Sequence, residues 1–360
     1  MIATSVYLHF PFCAKKCPYC DFASVKIAPS AIPHQAYADA ILAELEARRP
    51  ELEGRRLCSI FFGGGTPSLW DPEALGRTLR GLRGAFGAEA EELEITVECN
   101  PSSLDAERAA RLAGQGVGRL SLGVQSLDDA RLRYLGRLHD REEALEVLEA
   151  AVARIPRLSA DLIFGAPGQT VAALCAEIDR LVTTGIEHVS AYALTIEPGT
   201  RFGELHRLGR LETSTEDRYA ELFEAAEARL EGHGFAHYEV SNYARAGAES
   251  RHNQHYWRGG AYLGLGAAAV GYLEEAPGRG RRWRNHGDAG RYLSIAEEPL
   301  TPARRARAFE EWEEPIGPQE IVREALMLGL RTREGVDLEA TAARAGCDPL
   351  AGRERALRRR

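Results

Sequence analysis

The stretch "HFPFCAKKCPYCDF", residues 9–22, places three cysteines within eight positions. Cys13, Cys17 and Cys20 have the spacing C-x₃-C-x₂-C, and no second cysteine pair lies nearby. A structural zinc site is closed by four protein ligands, often in two separate pairs, whereas three thiolates leave one position open. Cysteine thiolates also hold iron–sulfur clusters, and a cubane with three protein ligands keeps one iron accessible. The pattern therefore favours an iron–sulfur site, with a zinc site completed by His9 as the alternative.

Length and composition narrow the class of protein. The chain has 360 residues, of which 44% are hydrophobic, so one large domain and a smaller one are expected at about 150 residues per domain. The seven cysteines are scattered apart from the one cluster, which argues against a secreted disulfide framework. No window approaches the roughly 20 apolar residues of a membrane span, so we expect a cytoplasmic protein without one. A net charge of −8 gives no general attraction to nucleic acid, and no nucleic-acid partner is expected.

Short β-rich runs alternate with helix-like stretches through the first half of the chain. The runs are residues 6–10, 58–62, 93–97, 119–124, 160–164 and 188–194. Mainly apolar strands separated by crossover helices indicate a parallel sheet covered by helices. The sequence therefore predicts an α/β fold with about six βα units, built as a partial (β/α)6 TIM-like barrel.

Chemically distinctive motifs come directly after the first five of these runs. In barrels of this kind the chemistry gathers at the carboxyl ends of the strands, so the motifs are expected to meet at one edge. They are the cysteine cluster, "GGGTPS" (63–68), "ECNP" (98–101), "VQS" (124–126) and "FGAPGQT" (164–170).

The cysteine loop, with an aromatic residue at Tyr19, resembles the signature of the radical S-adenosyl-L-methionine (SAM) superfamily. The resemblance implies that Cys13, Cys17 and Cys20 hold a [4Fe-4S] cluster whose open iron is chelated by SAM. It also implies the partial barrel of the radical SAM type. Such a protein has to supply fixed ligand geometry, a cavity that excludes water and groups that bind SAM.

Several residues at the strand ends are suited to gripping SAM. The glycines of the run 63–65 let backbone N–H groups approach a ligand, and Thr66 adds a hydroxyl, although a tight βα turn explains the glycines equally well. Glu98 and Asp161 are acids that need partners where they are buried, and Gln125 and Arg137 offer further polar contacts. Each of these residues singly is more often a cap of a strand or helix.

Over residues 5–330 the chain resembles one branch of the superfamily, the oxygen-independent coproporphyrinogen III dehydrogenases (oxidases) and the related HemW-type haem chaperones. By that resemblance, eight residues stand at SAM-contact positions. They are Tyr7, Tyr19, Gly64, Thr66, Glu98, Gln125, Arg137 and Asp161.

Two features separate the chaperones from the dehydrogenases. The dehydrogenases resembling this chain carry a fourth cysteine two positions after the third, where this chain has Phe22. The stretch "HNQHYW", residues 252–257, matches the HNxxYW pattern typical of the chaperones and implies that His252 binds haem, with His255 as the second choice. The alternative is that His252 caps a loop while the two aromatic residues fill space between the core and the C-terminal part.

The resemblance thus implies a haem chaperone that carries a [4Fe-4S] cluster, SAM and haem, and that passes haem to acceptor haemoproteins, plausibly at the membrane. A coproporphyrinogen III dehydrogenase is the alternative, and a zinc-bound scaffold is a third reading. Whether the protein is an enzyme that cleaves SAM, and whether it forms a homodimer, stay open.

Three segments are expected along the chain. They are a radical SAM core (1–235), an extension carrying the haem motif (236–290) and a C-terminal helical domain (291–360) that is smaller and shorter than in the relatives it resembles. The Gly/Arg-rich residues 277–290 are expected to be mobile. Helices are expected at 318–331 and 338–346.

Overall fold

One mixed β-sheet organises the molecule. The computed structural model describes residues 1–88 and 92–351. Within these residues the strands are β1 (Ile2–Phe10), β2 (Phe12–Cys13), β3 (Val25–Lys26), β4 (Arg55–Gly64), β5 (Glu94–Cys99), β6 (Arg119–Gln125), β7 (Arg157–Phe164), β8 (His188–Ala193), β9 (Ala236–Glu239), β10 (Asn242–Ala244), β11 (Ala261–Leu265), β12 (Val270–Ala276), β13 (Arg279–Asn285) and β14 (Glu310–Ile316).

Helices follow most of the strands. They are α1 (His34–Arg48), α2 (Pro72–Phe86), α3 (Ala106–Gly114), α4 (Asp129–Tyr134), α5 (Arg141–Val152), α6 (Val171–Val182), α7 (Arg201–Arg207), α8 (Glu216–Gly232), α9 (Arg251–Trp257), α10 (Ala289–Glu297), α11 (Pro302–Phe309), α12 (Pro318–Gly329) and α13 (Leu338–Ala345). The two helices expected near the C-terminus are therefore confirmed as α12 and α13.

The sheet has the order β14-β13-β12-β11-β1-β4-β5-β6-β7-β8-β10-β9. Strands β1 and β4 to β8 are parallel, which confirms the six predicted βα units and the α/β class. Strand β11 adds a seventh parallel strand beside β1, and antiparallel strands continue the sheet on both sides. Because β14 and β9 stand at opposite edges, the sheet is open, as a partial barrel requires.

The βα units form because the strands are buried on both faces and the helices start at strong caps. In β6 the first six residues are all buried, as expected for a parallel strand covered by helices. Asp105 and Asp128 each accept a backbone N–H in the first turn of α3 and α4, and Thr170 does the same for α6. These caps fix the residue at which each helix begins after its strand.

The Gly/Arg-rich residues 277–290 are not a mobile segment. They contain β13, whose Trp283 is fully buried between the guanidinium groups of Arg48 and Arg281, at 4.4 and 4.6 Å from the ring centre. Arg281 also forms an ion pair with Glu310 of the neighbouring β14. The charge-rich run becomes a strand because an acidic strand lies beside it, which composition alone does not indicate.

The C-terminal part is mixed rather than purely helical, since β14 joins the main sheet through β13. The sheet therefore crosses both predicted boundaries, near 236 and 291, and the division into three segments stays a prediction. Among the residues described, no helix is long and apolar enough to cross a bilayer.

A buried polar network holds the carboxyl end of β1 in place. The Tyr37 hydroxyl donates to the carbonyl oxygen of His9 at 2.6 Å and accepts from the N–H of Ala267 at 3.0 Å. The Glu44 carboxylate accepts from the N–H of Gly266 at 3.1 Å. These bonds tie α1 and the loop after β11 to the strand that leads into the cysteine loop, so they position the candidate site.

Candidate functional site

A cavity of about 630 Å³ lies at the carboxyl edge of the parallel strands. This volume is typical of ligand-binding sites, which span about 300–1,000 Å³. The structure brings most of the predicted site residues to its wall. These are Cys13, Cys17, Tyr19, Cys20, Gly64, Thr66, Glu98, Gln125, Arg137 and Asp161. Of the predicted residues, Tyr7 and His252 do not line it.

The cysteine loop is held by short backbone pairings. The N–H of Ile27 donates to the carbonyl oxygen of Cys13 at 2.9 Å, and that of Cys20 donates to Cys17 at 3.2 Å. Cys13 is buried, whereas Cys17 and Cys20 are partly exposed to the cavity. Burial raises the pKa of the Cys13 and Cys20 thiols. A metal centre bound here would therefore displace thiol protons.

The donor set fits a cluster better than a single zinc ion. Within residues 1–88 and 92–351, no three Cys, His, Asp or Glu side chains converge as one ion needs. Both ring nitrogens of His9 are occupied, Nδ1 by the Tyr7 hydroxyl at 3.0 Å and Nε2 by the Ala23 carbonyl oxygen at 2.7 Å. Neither nitrogen of His9 is therefore free to act as the fourth ligand of a zinc ion. A cubane takes thiolates on separate irons and does not need one point of convergence.

The glycine run packs against the cysteine loop. Gly64 has φ +107°, and a Cβ there would lie 2.5 Å from the imidazole of His9. The N–H of Gly65 donates to the carbonyl oxygen of Phe10 at 2.7 Å, and that of Thr66 donates to Phe12 at 2.9 Å. The N–H groups of Gly65 and Thr66 are therefore taken by the cysteine loop, whereas that of Gly64 donates to Glu98 at the cavity, and SAM contact at Gly64 and Thr66 stays a prediction. The tight turn that the sequence left as an alternative is what the glycines provide.

Thr66 and Arg137 direct donors at the cysteine sulfurs. The Thr66 hydroxyl lies 3.5 Å from Cys13 Sγ, and a guanidinium nitrogen of Arg137 lies 3.5 Å from Cys17 Sγ. Hydrogen bonds to the ligand sulfurs are one means by which a protein tunes an iron–sulfur centre. These two side chains are thus placed to stabilise negative charge on the sulfurs of Cys13 and Cys17.

Asn100 is a site residue that the sequence reasoning missed. Its Nδ2 donates to the Thr66 hydroxyl at 3.0 Å, and its Oδ1 accepts from Arg137. Arg137 also donates to the carbonyl oxygen of Gly123 at 2.9 Å, while its Nε has no partner among the described residues. Asn100 lies in the "ECNP" motif, but its role was not visible because both of its partners are distant in sequence.

Two carboxyl groups, those of Glu98 and Asp161, line the same cavity. Shielding from solvent, with the nearby Asp161 charge, raises the pKa of Glu98 to about 8. Burial also raises the pKa of Asp161, against the hydrogen bonds from Ser190 and Ser121, the latter at 3.1 Å. The Glu98 carboxylate accepts the N–H of Gly64 at 3.1 Å. A cationic ligand between these acids would favour their ionised forms, so this end of the cavity is suited to positive charge.

Gln125 has a strained backbone at the cavity wall. Its φ of +66° lies in the left-handed region, which costs a residue with a side chain about 1–3 kcal/mol. The pairing of β6 with β7 shifts register just before it. The distortion turns the end of β6 where Gln125 meets the cavity.

His252 is buried away from this cavity. It is 5% exposed, its Nδ1 lies 2.9 Å from the Ser59 hydroxyl, and its backbone N–H donates to Glu94, the first residue of β5, at 2.9 Å. Burial lowers the pKa of His252 to about 3, so the imidazole is neutral. The residue contacts the middle of β4 at Ser59 and the first residue of β5, whereas the cysteines lie beyond the carboxyl end of β1.

The aromatic residues after His252 pack on the protein itself. The guanidinium group of Arg331, just beyond α12, lies 4.5 Å from the Trp257 ring, and the Tyr256 ring lies 4.8 Å from that of Tyr262. These contacts favour the alternative in which the aromatic pair fills space between the core and the C-terminal part. Haem ligation by His252 stays a prediction.

Comparison with known proteins places this site in a family. Residues 7–181 match the Radical SAM superfamily, and residues 316–357 match the HemN C-terminal domain. The chain is 34% identical over 343 residues to the heme chaperone HemW of Bacillus subtilis, which covers 95% of this chain and 87% of that protein. The chain belongs to the HemW-type branch of the radical SAM superfamily.

Other relatives agree with this membership. A heme chaperone HemW of Mycobacterium tuberculosis is 36% identical over 94% of this chain and 84% of its own length. A mitochondrial protein of Bos taurus, radical S-adenosyl methionine domain-containing protein 1, is 35% identical over 92% of this chain and 74% of its own length. Coproporphyrinogen III oxidase (HemN) from Escherichia coli matches with a TM-score of 0.78 over 99% of this chain and 82% of that chain, at 20% identity, which supports the fold alone.

Membership in the radical SAM superfamily implies a [4Fe-4S] cluster and SAM. The residues present fit both groups. Cys13, Cys17 and Cys20 supply three thiols at one cavity, and the acids of that cavity suit the cationic part of SAM. In this HemW-type chain the position of the fourth cysteine is taken by Phe22, whose side chain is 57% exposed at the cavity.

Proposed function

We propose that this protein is a haem chaperone, which binds haem, holds a [4Fe-4S] cluster with SAM, and transfers haem to acceptor haemoproteins. The observation that carries the proposal is the similarity to proteins named heme chaperone HemW, at 34–36% identity over at least 94% of this chain. Such similarity covers the core, the α9 motif and the C-terminal part together. It is therefore not confined to the SAM-binding core that all radical SAM proteins share.

Each group of side chains has a defined part in this proposal. Cys13, Cys17 and Cys20 hold the cluster, which when bound supplies an open iron and one-electron chemistry. Thr66 and Arg137 donate toward the ligand sulfurs and so stabilise their negative charge. Asn100 fixes the orientation of both donors through its amide group.

The acids Glu98 and Asp161 hold protons or positive charge at the inner end of the cavity. Because the pKa of Glu98 is raised to about 8, this carboxyl group is largely protonated in the ligand-free protein at neutral pH. Binding a cation beside it would release that proton. The pair therefore selects for a positively charged ligand such as SAM.

The alternative is an oxygen-independent coproporphyrinogen III dehydrogenase. Dehydrogenases that resemble this chain have a cysteine where Phe22 stands, and a phenyl group cannot ligate a metal. The similarity to HemN, at 20% identity, concerns the fold and not the reaction. The chaperone reading is therefore the one we propose, and whether SAM is cleaved stays open.

Haem ligation by His252, haem acceptors at the membrane and a cytoplasmic location are predictions that need their own tests, and whether the chain forms a homodimer stays open. For His252 the test has to include stability, because its ring is bonded to Ser59 inside the protein.

The proposal is tested by anaerobic reconstitution of the full chain. Iron and acid-labile sulfide are measured first, and the paramagnetic resonance of the reduced cluster is recorded with and without SAM. Haem titration then compares the wild type with His252→Ala and with His255→Ala, a matched change in the same helix. Transfer is followed by mixing the haem-loaded protein with an apo-haemoprotein.

We expect iron in the protein, a spectral change with SAM, saturable haem binding and transfer to the acceptor. If the wild type instead converts coproporphyrinogen III anaerobically while haem leaves its spectrum unchanged, the protein is a dehydrogenase. If preparations kept free of oxygen contain no iron, the cluster assignment is wrong. Equal haem binding by the wild type and His252→Ala would remove His252 as the ligand without affecting the chaperone proposal.

A further inference from the structure

Gln125 holds a left-handed backbone conformation at the end of β6. Its φ is +66°, and the pairing of β6 with β7 shifts register just before it. A local break in strand pairing re-aims a side chain, and such breaks are common beside functional sites. A residue with a side chain keeps this conformation only where its surroundings fix the backbone. The groups that fix the backbone on each side of Gln125 therefore bear on the site.

The segment after Gln125 is held by a buried carboxylate. Glu177 of α6 is 7% exposed, and one of its oxygens accepts from the Ser126 hydroxyl and from the N–H of Leu127, each at 2.5 Å. Its other oxygen accepts from the guanidinium group of Arg131. The Ser126 oxygen accepts in turn from Arg131 Nε at 3.2 Å. These bonds fix the two residues that follow Gln125.

The residue before Gln125 is held by a buried imidazole. The His139 ring donates from Nε2 to the carbonyl oxygen of Val124 at 3.0 Å. Burial, with the charge of Arg137, lowers the pKa of His139 to about 4, so the ring is neutral and carries its proton on Nε2. Neither His139 nor Glu177 lines the cavity. The backbone of Gln125 is thus fixed from both sides by groups outside the cavity.

The Gln125 side chain is left available to a ligand. It lines the cavity, and its amide group makes no hydrogen bond within residues 1–88 and 92–351. A Cβ at Gly123 would lie 2.8 Å from the Gln125 amide nitrogen, so the glycine leaves room for this amide group. An amide that has no partner in the protein offers both a donor and an acceptor to a bound molecule.

We propose that Glu177 and His139 are positioning residues, which hold Gln125 in its left-handed conformation and so present its amide group to SAM. The inference rests on the SAM binding that the proposed function includes, and it adds residues outside the cavity on which that binding depends. A ligand contact is effective when hydrogen bonds behind it fix its geometry before the ligand arrives. The strain at Gln125 is the energetic consequence of aiming this one side chain.

The experiment measures the Kd for SAM of the cluster-loaded full chain in a double-mutant cycle. Glu177→Gln keeps the size of the side chain but leaves a single oxygen, which cannot accept from all three present donors. Its matched control is Glu146→Gln, the same change at an exposed position of α5. Both changes are also made in Gln125→Gly, because glycine adopts a φ of +66° without strain and has no amide group to present.

We expect Glu177→Gln to raise the Kd for SAM about tenfold in the otherwise wild-type chain, as for the loss of one hydrogen bond to the ligand. In Gln125→Gly the same change should raise the Kd by less than about twofold, because nothing is left to position. Gln125→Gly alone should also raise the Kd about tenfold. Glu146→Gln should leave the Kd unchanged in both backgrounds.

A second arm tests the contact at Val124 and decides the question if Glu177→Gln does not fold. His139→Leu removes the donor to the Val124 carbonyl oxygen, whereas His139→Gln keeps an amide N–H that reaches it. His139→Leu should raise the Kd for SAM about fivefold and His139→Gln by less than about twofold. Equal Kd values for the two variants would exclude His139 as a positioning residue.

Urea unfolding of the ligand-free chain tests the strain itself. Gln125→Gly is compared with Gln125→Ala, because both lack the amide group and only glycine relieves the strain. Gln125→Gly should therefore unfold at a higher urea concentration than Gln125→Ala, while both bind SAM equally weakly. Equal or reversed unfolding midpoints would show that the backbone is not strained, and the proposal would be overturned.

The outcomes separate this inference from the function on which it rests. If the wild type holds the cluster but binds no SAM, the SAM-binding part of the proposed function fails and this inference fails with it. If SAM binds and Glu177→Gln leaves its Kd unchanged, the function stands and the positioning role is wrong. If Glu177→Gln weakens SAM binding equally with and without Gln125→Gly, the carboxylate acts through another residue after β6, such as Arg137, and the proposal is also overturned.

Discussion

Replacing Glu98 with glutamine should remove a pH-dependent loss of stability from the ligand-free protein. The pKa of Glu98 is raised to about 8 in the folded protein, against about 4.5 for an ordinary glutamate. Between these values the folded state keeps the proton and the unfolded state has lost it. Stability therefore falls as the pH rises from about 4.5 to about 8. Glutamine resembles the protonated acid and still offers an oxygen to the N–H of Gly64.

The size of the effect follows from the pKa shift. A pKa of about 8 in the folded protein against about 4.5 in the unfolded chain would correspond to about 5 kcal/mol. The Glu98 residue is only half-buried at the cavity wall, and Asp161 competes for the proton, which lowers the expected difference to about 2–3 kcal/mol. Compared with Glu98→Gln, the wild type should lose this amount of unfolding free energy between pH 5 and pH 8.

The assay is urea unfolding of the ligand-free chain under reducing, anaerobic conditions at pH 5, 6, 7 and 8. The wild type, Glu98→Gln and Glu224→Gln are compared, the last being the same chemical change at an exposed position of α8. The difference between Glu98→Gln and the wild type should grow with pH, while that for Glu224→Gln should stay constant. A difference for Glu98→Gln that is flat from pH 5 to pH 8 would refute the reasoning, because the carboxyl group would then titrate normally.

Three further predictions concern other parts of the structure. Arg137→Lys should raise the Kd for SAM about tenfold and lower the iron content per chain. The reason is that a lysine cannot reach the Cys17 sulfur and the carbonyl oxygen of Gly123 together. Unchanged iron content and SAM binding would contradict this role. Gly64→Ala should lower the free energy of unfolding in urea by about 2–4 kcal/mol, since its Cβ would lie 2.5 Å from the imidazole of His9. Gly87 also has a positive φ but no atom within 4 Å of such a Cβ, so Gly87→Ala should lower it by about 1 kcal/mol. Equal costs at the two glycines would exclude the packing argument. Because the pKa of His252 is lowered to about 3, the unfolded state binds its proton first as the pH falls below about 6.5, and His252→Gln should lose less stability than the wild type between pH 6.5 and pH 4. Parallel losses would show that the ring is not buried as a neutral group, and SAM binding by the variant should be unchanged.

The strands and the motifs that follow them show which parts of the structure a local sequence pattern can predict. All six predicted strand runs are strands of the parallel sheet, because apolar periodicity is a local property that each segment carries by itself. The cysteine spacing and the motifs after the strands predicted one shared site, since parallel strands all end at the same edge. Strand β13 was missed, because its stability depends on an acidic strand and on Arg48, which is far away in sequence.

The amino-acid sequence by itself determined the βα units, the grouping of the three cysteines at one site and the membership in the HemW-type branch, since these depend on local pattern and spacing. Only the tertiary structure decided the partners of the polar groups. Arg137 and Cys17 are 120 positions apart, and the N–H groups after Gly64 are taken by the cysteine loop rather than left for a ligand. His252 was likewise located by its contacts with Ser59 and Glu94 and not by its motif. The role of a polar side chain depends on the groups that lie beside it in the folded protein. Packing brings these groups together from segments that are distant in sequence, so a local sequence pattern does not reveal them.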